Sequence, residues 1–424
     1  MASNGPSDAA SPLRTSLPTH GRSAAATLGE MFQRKASDAE WLKGRTFSLV
    51  YPTGRADVDA ILLEANVAYM FENALNPLKF PSLATMQREV VNMTSSLVNA
   101  PSSSGAGFSS GGTESIFLSV LVARERARVE RGIGHGNIVF PESAHPAFAK
   151  AAFYTGLEAR ATSLSEDFTA DLAALEAAVD ENTVLIIGSA YGNPHGVVDP
   201  IEAMSNFALD RGIAFHSDTC IGAFVLPFLE RLGIEVPPFD FRLPGVTQMS
   251  CDVHKYGYST KGASVIVYRD AAWLQHQVFD YDVWPSGRYR TASVAGARAA
   301  SPIAAAWSLM TYLGEDGYLD IMRGLVTTVA TMKDGISALP GLRILGNPIG
   351  PLLTFTSDTD DIFAIADVMD DHGWHLNRIG SPNGLHMMIS PLHGLYAEEF
   401  LTDLASAVAN HGPSRGIGPG YNGR

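Results

Sequence analysis

The chain has 424 residues, 46% of them hydrophobic and 17% charged, with a formal net charge of −14 at pH 7. This length allows a large core, divided into one large and one smaller domain. The acidic balance argues against a nucleic-acid surface and against docking on anionic lipid. No apolar run reaches the roughly 18 residues of a membrane span, and two cysteines, Cys220 and Cys251, cannot build a disulfide framework. The protein is therefore expected in a reducing cytoplasm.

The first part of the chain is polar and then becomes helical in pattern. Residues 1–26 are rich in Ser, Ala and Pro and are predicted to form a disordered tail. Residues 27–95 are predicted to form an N-terminal helical segment.

Residues 96–303 alternate between helical and strand-like patterns, which predicts a large α/β domain with a mostly parallel sheet. The predicted helices cover residues 116–129, 145–154, 172–179 and 201–211, and the predicted strands cover residues 137–140, 184–188, 212–215 and 264–268. Ligands of such sheets bind beyond the carboxyl ends of the strands, and Ser189 and Asp218 fall at such ends.

Residues 304–411 have the pattern of a small α+β domain. A long helix is predicted from residue 304 to 312, resuming as far as residue 339, where Pro340 stops it. Strands at residues 342–345, 352–355 and 385–389 and helices at residues 361–371 and 397–408 are predicted to follow. Residues 412–424 contain five glycines and two prolines and are predicted to be a flexible tail.

Two charged residues define the expected chemistry. The chain has only seven lysines, and two of them, Lys255 and Lys261, lie six residues apart in a polar loop before an apolar strand. Asp218 follows the apolar run at residues 213–215. Pyridoxal phosphate requires a lysine that forms an imine with its aldehyde and a buried carboxylate that keeps its ring nitrogen protonated. The sequence therefore predicts Lys255 as the nucleophile and Asp218 as its electronic partner.

A Gly/Ser-rich stretch before the helix at residue 116 is suited to a phosphate. Glycines such as Gly111 and Gly112 let the backbone approach an anion, and the first helical N–H groups favour negative charge. Thr113 adds a hydroxyl donor. The alternative is that Ser110 or Thr113 only caps the helix.

Two further segments carry polar groups toward the same edge of the sheet. His145 begins a helix, where it either stacks on a cofactor ring or bonds to backbone. The loop at residues 188–196 contains Ser189, Tyr191 and His195, which reach the cofactor or substrate unless they serve only as turn residues.

A metal site is the competing interpretation of the residues around Asp218. His216, Asp218 and Cys220 alternate, so a strand would place all three on one face, as a zinc or iron centre requires. No HExxH or CxxC spacing is present, and a metal explains neither Lys255 nor the glycine-rich stretch. No metal is therefore predicted.

Five motifs occur in order along the chain, at residues 111–115, 145–152, 188–196, 216–224 and 250–257. From about Ala60 onward the sequence resembles the sphingosine-1-phosphate lyases, a family in the group II decarboxylase branch of pyridoxal phosphate enzymes. The resemblance implies fold type I, the aspartate aminotransferase fold, with a seven-stranded, mostly parallel sheet, helices on both faces and a small C-terminal α+β domain.

The resemblance also implies roles for individual residues. Gly112 and Thr113 would hold the cofactor phosphate, His145 would stack on the ring and His254 would lie beside the phosphate. Lys261 would bind the phosphate of the substrate.

The family builds its active site between two subunits, which implies a homodimer. Gly287 and Ser293 would complete the phosphate site of the other subunit. The family usually has a histidine where this chain has Asn76 and an acid where it has Leu78, while Asn73 is kept; Asn73 and Asn76 are expected at the substrate.

The implied reaction is retro-aldol cleavage of a phosphorylated long-chain amino alcohol, such as sphingosine 1-phosphate, to a fatty aldehyde and phosphoethanolamine. The alternatives are an amino-acid decarboxylase, a lyase for another β-hydroxy amine, and a cofactor-binding protein without turnover. Asn76 is the feature that supports the last of these.

Overall fold

A computed structural model describes residues 16–420 of the chain. Residues 16–40 belong to one compact unit, and residues 41–420 belong to a second, which contains the sheets. The predicted tails extend beyond these limits, so residues 1–15 and 421–424 lie outside the described residues.

The helices are α1 Ala24–Lys35, α2 Ala56–Ala68, α3 Pro81–Leu97, α4 Gly112–Arg131, α5 Ala147–Thr155, α6 Leu172–Ala178, α7 Ile201–Asp210, α8 Leu226–Arg231, α9 Ser301–Ser337, α10 Ile362–Asp371 and α11 Ala397–Asn410. The strands are β1 Gly105–Ser109, β2 Asn137–Pro141, β3 Glu158–Thr162, β4 Thr183–Ser189, β5 Ala214–Asp218, β6 Gln248–Cys251, β7 Ser264–Tyr268, β8 Phe279–Tyr281, β9 Tyr289–Thr291, β10 Leu342–Ile344, β11 Leu352–Ser357, β12 Asn377–Gly380 and β13 Asn383–Met388. Among residues 16–420, no helix combines the length and the apolar character that crossing a membrane requires.

Seven strands form one sheet in the order β1-β7-β6-β5-β4-β2-β3. The pairs from β3 to β6 are all parallel, and β7 runs antiparallel to both of its neighbours. The predicted mostly parallel sheet is therefore confirmed.

The central strands are apolar on both faces. In β2, Ile138 and Phe140 pack in one cluster with α4 and α5, whereas Val139 belongs to the main cluster on the opposite face. In β4, Leu185 belongs to the cluster with α4 and α5, and Ile186 belongs to the main cluster on the opposite face. Because neighbouring strand residues point to opposite faces, a continuous apolar run indicates a sheet with helices on both sides.

The glycine-rich stretch before α4 contains a strand that was not predicted from the sequence. Residues 105–109 form β1, an edge strand that pairs antiparallel with β7, from Gly105 opposite Tyr268 to Ser109 opposite Ser264. Glycine has a low strand propensity, so this strand depends on its partner rather than on its own sequence. Helix α4 then begins at Gly112, four residues earlier than predicted.

A second sheet has four antiparallel strands in the order β10-β11-β13-β12. The long helix α9 precedes it and is broken at Gly314, whose φ of +56° favours glycine. This break matches the predicted interruption after residue 312. The exact domain boundaries at residues 95, 303 and 411 remain predictions.

The segment from His411 to Gly420 has no helix or strand but contacts the four-stranded sheet and its helix α10. His411 Nε2 lies 3.2 Å from Asp360 Oδ1, and Arg415 Nη1 donates to Asp371 Oδ1 at 2.8 Å. Arg378 Nη1 donates to the carbonyl oxygen of Ile417 at 2.9 Å. These contacts hold part of the predicted flexible tail against the protein.

Candidate active site

Three adjacent parallel strands bring polar side chains together at their carboxyl ends. Ser189 of β4 pairs in register with Asp218 of β5, and Asp218 pairs with Ser250 of β6. This edge is where open α/β sheets bind ligands. A cavity of about 700 Å³ lies here.

The cavity wall contains nine of the predicted site residues: Gly112, Thr113, His145, Ser189, Tyr191, His195, Asp218, His254 and Lys255. Residues separated by more than 140 positions in sequence thus meet at one site.

Lys255 is held near two carboxylates. Its side chain is 18% exposed, and its Nζ lies 3.0 Å from Oδ2 of Asp252. Burial acts to lower the pKa of Lys255, but attraction led by Asp252, with a smaller contribution from Asp218, holds that pKa well above its usual value. The amine is thus an ammonium at neutral pH when it is not bonded to another group.

Asp218 is buried and has one oxygen engaged by the protein. Oδ1 accepts hydrogen bonds from the backbone N–H of Cys220 and from Ser250 Oγ, each at 3.0 Å. This arrangement orients the carboxylate and leaves Oδ2 for a ligand in the cavity.

His145 contacts the backbone at the start of α5 and lies on the cavity wall. Its Nδ1 accepts a hydrogen bond from the backbone N–H of Ala147 at 3.2 Å, so it caps α5, and its ring also lines the cavity. Burial and the charge of Lys255 lower the pKa of His145 despite the opposing pull of Asp218. The ring is therefore neutral near pH 7, a state that suits packing flat against an aromatic ligand.

The start of α4 forms a narrow glycine-lined wall. A Cβ on Gly112 would lie 2.7 Å from Oδ2 of Asp252, and Gly111 has φ +148°, which L side chains rarely adopt. The N–H and the hydroxyl of Ser110 both donate to Oε2 of Glu114, which ties Ser110 to the first turn of α4 although no side chain caps the helix. Thr113 remains on the cavity wall.

His254 lies beside this wall. Its Nδ1 donates to the carbonyl oxygen of Ala263 at 2.8 Å, which fixes the ring, and a Cβ on Gly111 would lie 3.5 Å from its Cε1. Burial lowers the pKa of His254, with opposition from Asp252. The ring is thus placed against the glycine turn.

The other predicted residues lie outside the cavity wall. Lys261 is exposed; its Nζ donates to the carbonyl oxygen of His254 at 3.3 Å and lies 4.3 Å from the ring centre of Tyr51, which does line the cavity. The side-chain oxygens of Asn73 and Asn76 accept the N–H groups of residues 75 and 78, as in ordinary turns.

The segment with Gly287 and Ser293 lies beside α4 of its own chain but does not line this cavity. Ser293 Oγ donates to the carbonyl oxygen of Ala295 at 2.7 Å, and the N–H of Val294 donates to Glu114 Oε1 at 2.8 Å. Gly287 is exposed with φ +106°.

Several wall residues were not proposed from the sequence: Tyr51, Glu142, Ser143, Asp252, Asn377, Arg378, His386, Pro419 and Gly420. Asp252 lies within the motif at residues 250–257, three residues before Lys255, but this spacing alone does not reveal that the two side chains pair. Most of the others belong to the small sheet or to the last segment, which carry no recognisable local pattern.

His216, considered as a metal ligand, is part of a protein hydrogen-bond network. Its ring nitrogens lie 2.7 Å from Ser119 Oγ and 2.9 Å from Ser250 Oγ. Among the described residues, no group of three or more His, Cys, Asp or Glu side chains could hold a metal ion.

The wall has unused hydrogen-bonding capacity that fits a polar organic cofactor and its substrate. Ser189 Oγ, Tyr191 Oη, both ring nitrogens of His195 and Nε2 of His386 are buried without a hydrogen-bond partner. Buried polar atoms are usually paired, so unpaired ones facing a cavity indicate a ligand. Together with Lys255, Asp218 and the glycine turn, they match the needs of pyridoxal phosphate.

The chain was compared with known proteins. The pyridoxal-dependent decarboxylase conserved domain matches residues 41–357. The sphingosine-1-phosphate lyase of Oryza sativa is 38% identical over 418 residues, covering 96% of this chain and 77% of that protein. Sphingosine-1-phosphate lyase 1 of Rattus norvegicus is 35% identical, covering 92% of this chain and 69% of that protein.

Solved structures are also similar to this chain. A sphingosine-1-phosphate lyase from Burkholderia pseudomallei superposes with a TM-score of 0.90 at 36% identity, covering 93% of each chain. A glutamate decarboxylase from Lactobacillus brevis shares the fold, with a TM-score of 0.82 at 18% identity, over 93% of this chain and 94% of that one. The site geometry and the relatives agree that this chain belongs to the sphingosine-1-phosphate lyase family of pyridoxal phosphate-dependent enzymes.

Proposed function

We propose that the protein cleaves the Cα–Cβ bond of a phosphorylated long-chain amino alcohol such as sphingosine 1-phosphate, releasing a fatty aldehyde and phosphoethanolamine. The observation that carries this proposal is the convergence of Lys255, Asp218 and Gly112 on one cavity. The sphingosine-1-phosphate lyases among the relatives supply the substrate class.

Pyridoxal phosphate supplies an aldehyde that condenses with amines and a ring that accepts the electron pair of the broken bond. In the proposed mechanism Lys255 binds the cofactor through its amine and later moves protons. Asp218 keeps the ring nitrogen protonated through Oδ2, because its Oδ1 is already engaged.

We assign other wall residues, together with Gly111 next to the wall, to cofactor binding. Gly111, Gly112 and Thr113 hold the cofactor phosphate at the N-terminus of α4, with His254 beside it. His145 packs against the ring. Ser189 offers its unpaired hydroxyl to a ring substituent.

Other residues are assigned to the substrate. Tyr191 and His195 offer buried polar atoms without partners, and His195 is itself fixed by stacking on Phe168 at 4.1 Å. Lys261 provides a positive charge for the substrate phosphate, reached past Tyr51.

The main rival is decarboxylation of an amino acid, which requires a cation for the substrate carboxylate. Arg378 lines the cavity, but its guanidinium is engaged: Nη2 donates to Asp367 at 2.8 Å and to Asp370 at 2.6 Å. Its side chain is 6% exposed. This engagement favours the lyase over the decarboxylase.

The test is to load the protein with pyridoxal phosphate and offer sphingosine 1-phosphate, unphosphorylated sphingosine, other β-hydroxy amines and a panel of amino acids. Fatty aldehyde from the phosphorylated substrate supports the proposal. Carbon dioxide from an amino acid, aldehyde only from an unphosphorylated amine, or no product at all contradicts it. Lys255→Ala should be inactive, and Lys150→Ala, at an exposed lysine of α5, serves as the matched control.

We also propose a homodimer in which Asn73, Asn76, Gly287 and Ser293 act on the cavity of the second subunit. Exposed apolar side chains support an interface near these residues: Phe71, Leu78, Phe279, Val283, Trp284 and Val294. Mixed dimers provide the test. Lys255→Ala and Gly287→Trp chains, each inactive alone, should regain about a quarter of the wild-type activity when co-refolded, because half of the dimers then hold one intact site. If the mixed dimers regain no activity, the proposal that each active site is shared between two subunits is contradicted.

A cytoplasmic location is proposed as well. Cys220 and Cys251 are both free and buried, which suits a reducing compartment. Cell fractionation with a tagged protein tests this location.

A further inference from the structure

Asp252 has no role in the mechanism described so far, yet it is among the least exposed charged residues of the protein. It follows β6 and is 1% exposed. Its Oδ2 lies 3.0 Å from Lys255 Nζ, and its Oδ1 is buried without a hydrogen-bond partner. A buried carboxylate is costly unless it is paired, so the ion pair with Lys255 indicates a function at the lysine.

The position of Asp252 depends on the glycine at the start of α4. A Cβ on Gly112 would lie 2.7 Å from Oδ2 and 2.9 Å from Oδ1. The carboxylate therefore occupies space between the glycine turn and Lys255. The ion pair between Asp252 and Lys255 therefore depends on two separate segments of the chain, because Gly112 at the start of α4 leaves room for the Asp252 carboxylate.

The other titratable groups around Lys255 do not provide an equal partner. Besides Asp252, the groups that act electrostatically on Lys255 are Cys220, Tyr51 and Asp218. The same wall carries further titratable groups, with Lys261 behind His254: His145, His254, Glu142, Tyr191, His195, Arg378 and His386. Asp218 is assigned to the cofactor nitrogen, and burial keeps Cys220 a thiol by raising its pKa. Asp252 is thus the carboxylate left to balance the charge on Lys255.

We propose that Asp252 is a positioning residue that holds Lys255 as an ammonium once the substrate has displaced it, making Lys255 the proton donor for the second product. This inference rests on the proposed lyase function. The substrate enters as an ammonium, and its proton passes to Lys255 as its amine takes the place of the lysine.

Cleavage releases the hydroxyl proton of the substrate to solvent, and the amine of the second product takes up a proton from solvent when it leaves. After the aldehyde has left, an N–H bond of the Lys255 ammonium would break and a C–H bond would form at the carbon that lost the aldehyde. The cofactor would supply the electron pair for this C–H bond. Lys255 is left as a neutral amine that can bind the cofactor again, and Asp252 remains a carboxylate throughout.

The first test needs no turnover. Cofactor-free protein is trapped with pyridoxal phosphate and cyanoborohydride at a series of pH values, and modification of Lys255 is quantified by peptide mass spectrometry. In Asp252→Asn the pH midpoint of trapping should fall by about 1 to 3 units, because a nearby opposite charge is removed. The pH dependence of pyridoxal phosphate and cyanoborohydride themselves is the same for the variant and the wild type, so it does not affect the difference between the two midpoints. Asp240→Asn, at another aspartate that is 1% exposed but lies outside the cavity wall, should leave the midpoint unchanged.

The second test follows both products in a single turnover of sphingosine 1-phosphate. In Asp252→Asn the aldehyde should appear first, with phosphoethanolamine following about 100-fold more slowly than in the wild type. Equal slowing of both products, or an unchanged trapping midpoint, would overturn the proposal.

If Asp252→Asn does not fold, the same trapping midpoint is measured in the wild type and in Asp252→Glu, which keeps the negative charge. A wild-type trapping midpoint at or below the ordinary lysine value of about 10.4 would overturn the proposal, and a higher one supports it. A protein that shows the trapping shift but releases no aldehyde would instead refute the proposed lyase function.

Discussion

Nε2 of His216 lies 2.9 Å from Oγ of Ser250, which places a buried histidine directly behind the carboxylate of Asp218. Ser250 has one hydroxyl proton and donates it to Asp218, so it must accept from His216. Nδ1 then accepts from Ser119 Oγ at 2.7 Å. Burial lowers the pKa of His216 to about 4, in spite of the attraction from Asp218. The histidine is therefore a neutral Nε2–H tautomer that orients the network.

This network predicts that Ser250 contributes to cofactor affinity without touching the cofactor. Ser250→Ala leaves His216 and Asp218 each without one hydrogen bond, so pyridoxal phosphate should bind about tenfold more weakly, as expected for a lost bond to a charged group. Absorbance titration of the cofactor-free protein measures the Kd. Ser205→Ala, which alters an equally buried serine of α7, should have no effect; an unchanged Kd in Ser250→Ala would show that Asp218 is held by other contacts.

Gly112 should not tolerate a side chain. The Cβ of Gly112→Ala would clash with the short, fixed side chain of Asp252, and such overpacking typically costs about 1 to 3 kcal/mol. We expect weaker cofactor binding and a smaller absorbance band near ~420 nm, where the lysine-bound cofactor absorbs. Gly134→Ala is the control, because nothing lies within 4 Å of its added Cβ. Identical spectra for the two variants would disprove the steric argument.

The buried histidines should make the protein sensitive to acid. His393 accepts the N–H of Ser390 at 2.7 Å and donates to the carbonyl oxygen of Thr46 at 3.0 Å, and burial lowers its pKa to about 4. Between pH 6.5 and 4 the unfolded chain binds a proton at this position and the folded chain does not, so folding stability falls as the pH falls.

The expected loss from His393 is roughly 1 to 3 kcal/mol at pH 4, from a shift of this size. Denaturant unfolding at several pH values measures it, and His393→Gln should flatten the pH dependence while lowering stability at pH 7. His135→Gln, at an exposed histidine, should leave the slope as in the wild type. A slope unaffected by His393→Gln would refute the argument.

The Arg378 ion network should be important for stability. Its guanidinium is 6% exposed and is shared by Asp367 and Asp370. Arg378→Met leaves the buried carboxylate of Asp367 with only the half-exposed Arg415 as its cation, which should lower the free energy of unfolding by up to about 3 to 5 kcal/mol. Urea unfolding measures this change. Arg343→Met breaks an exposed pair with Asp358 and should cost less than about 1 kcal/mol; equal effects would contradict the role of burial.

The sequence was sufficient for the sheet and for the residues at its strand ends. Apolar runs in β2, β4 and β5 indicated strands buried on both faces, and Asp218 and Ser189 followed from the ends of two of them. Strand β5 extends to Asp218 itself, three residues beyond the predicted end.

Other features depend on contacts that local pattern does not encode. Strand β1 is specified by pairing with β7 across more than 150 residues, whereas its glycines alone do not favour a strand. His386 and Arg378 reach the cavity from the four-stranded sheet. Asp252 resembles any loop aspartate until the distance to Lys255 is known, so its pairing could not be inferred from spacing alone.

Pro419 and Gly420 form part of the cavity wall, although the segment that carries them is anchored through Arg415 and the carbonyl of Ile417 to the small sheet and α10. This part of the wall is thus held by contacts other than those that hold the reactive lysine. Substitutions between residues 411 and 420 are therefore expected to reshape the cavity while Lys255, Asp218 and Asp252 keep their positions, which gives evolution an independent route to new substrate ranges.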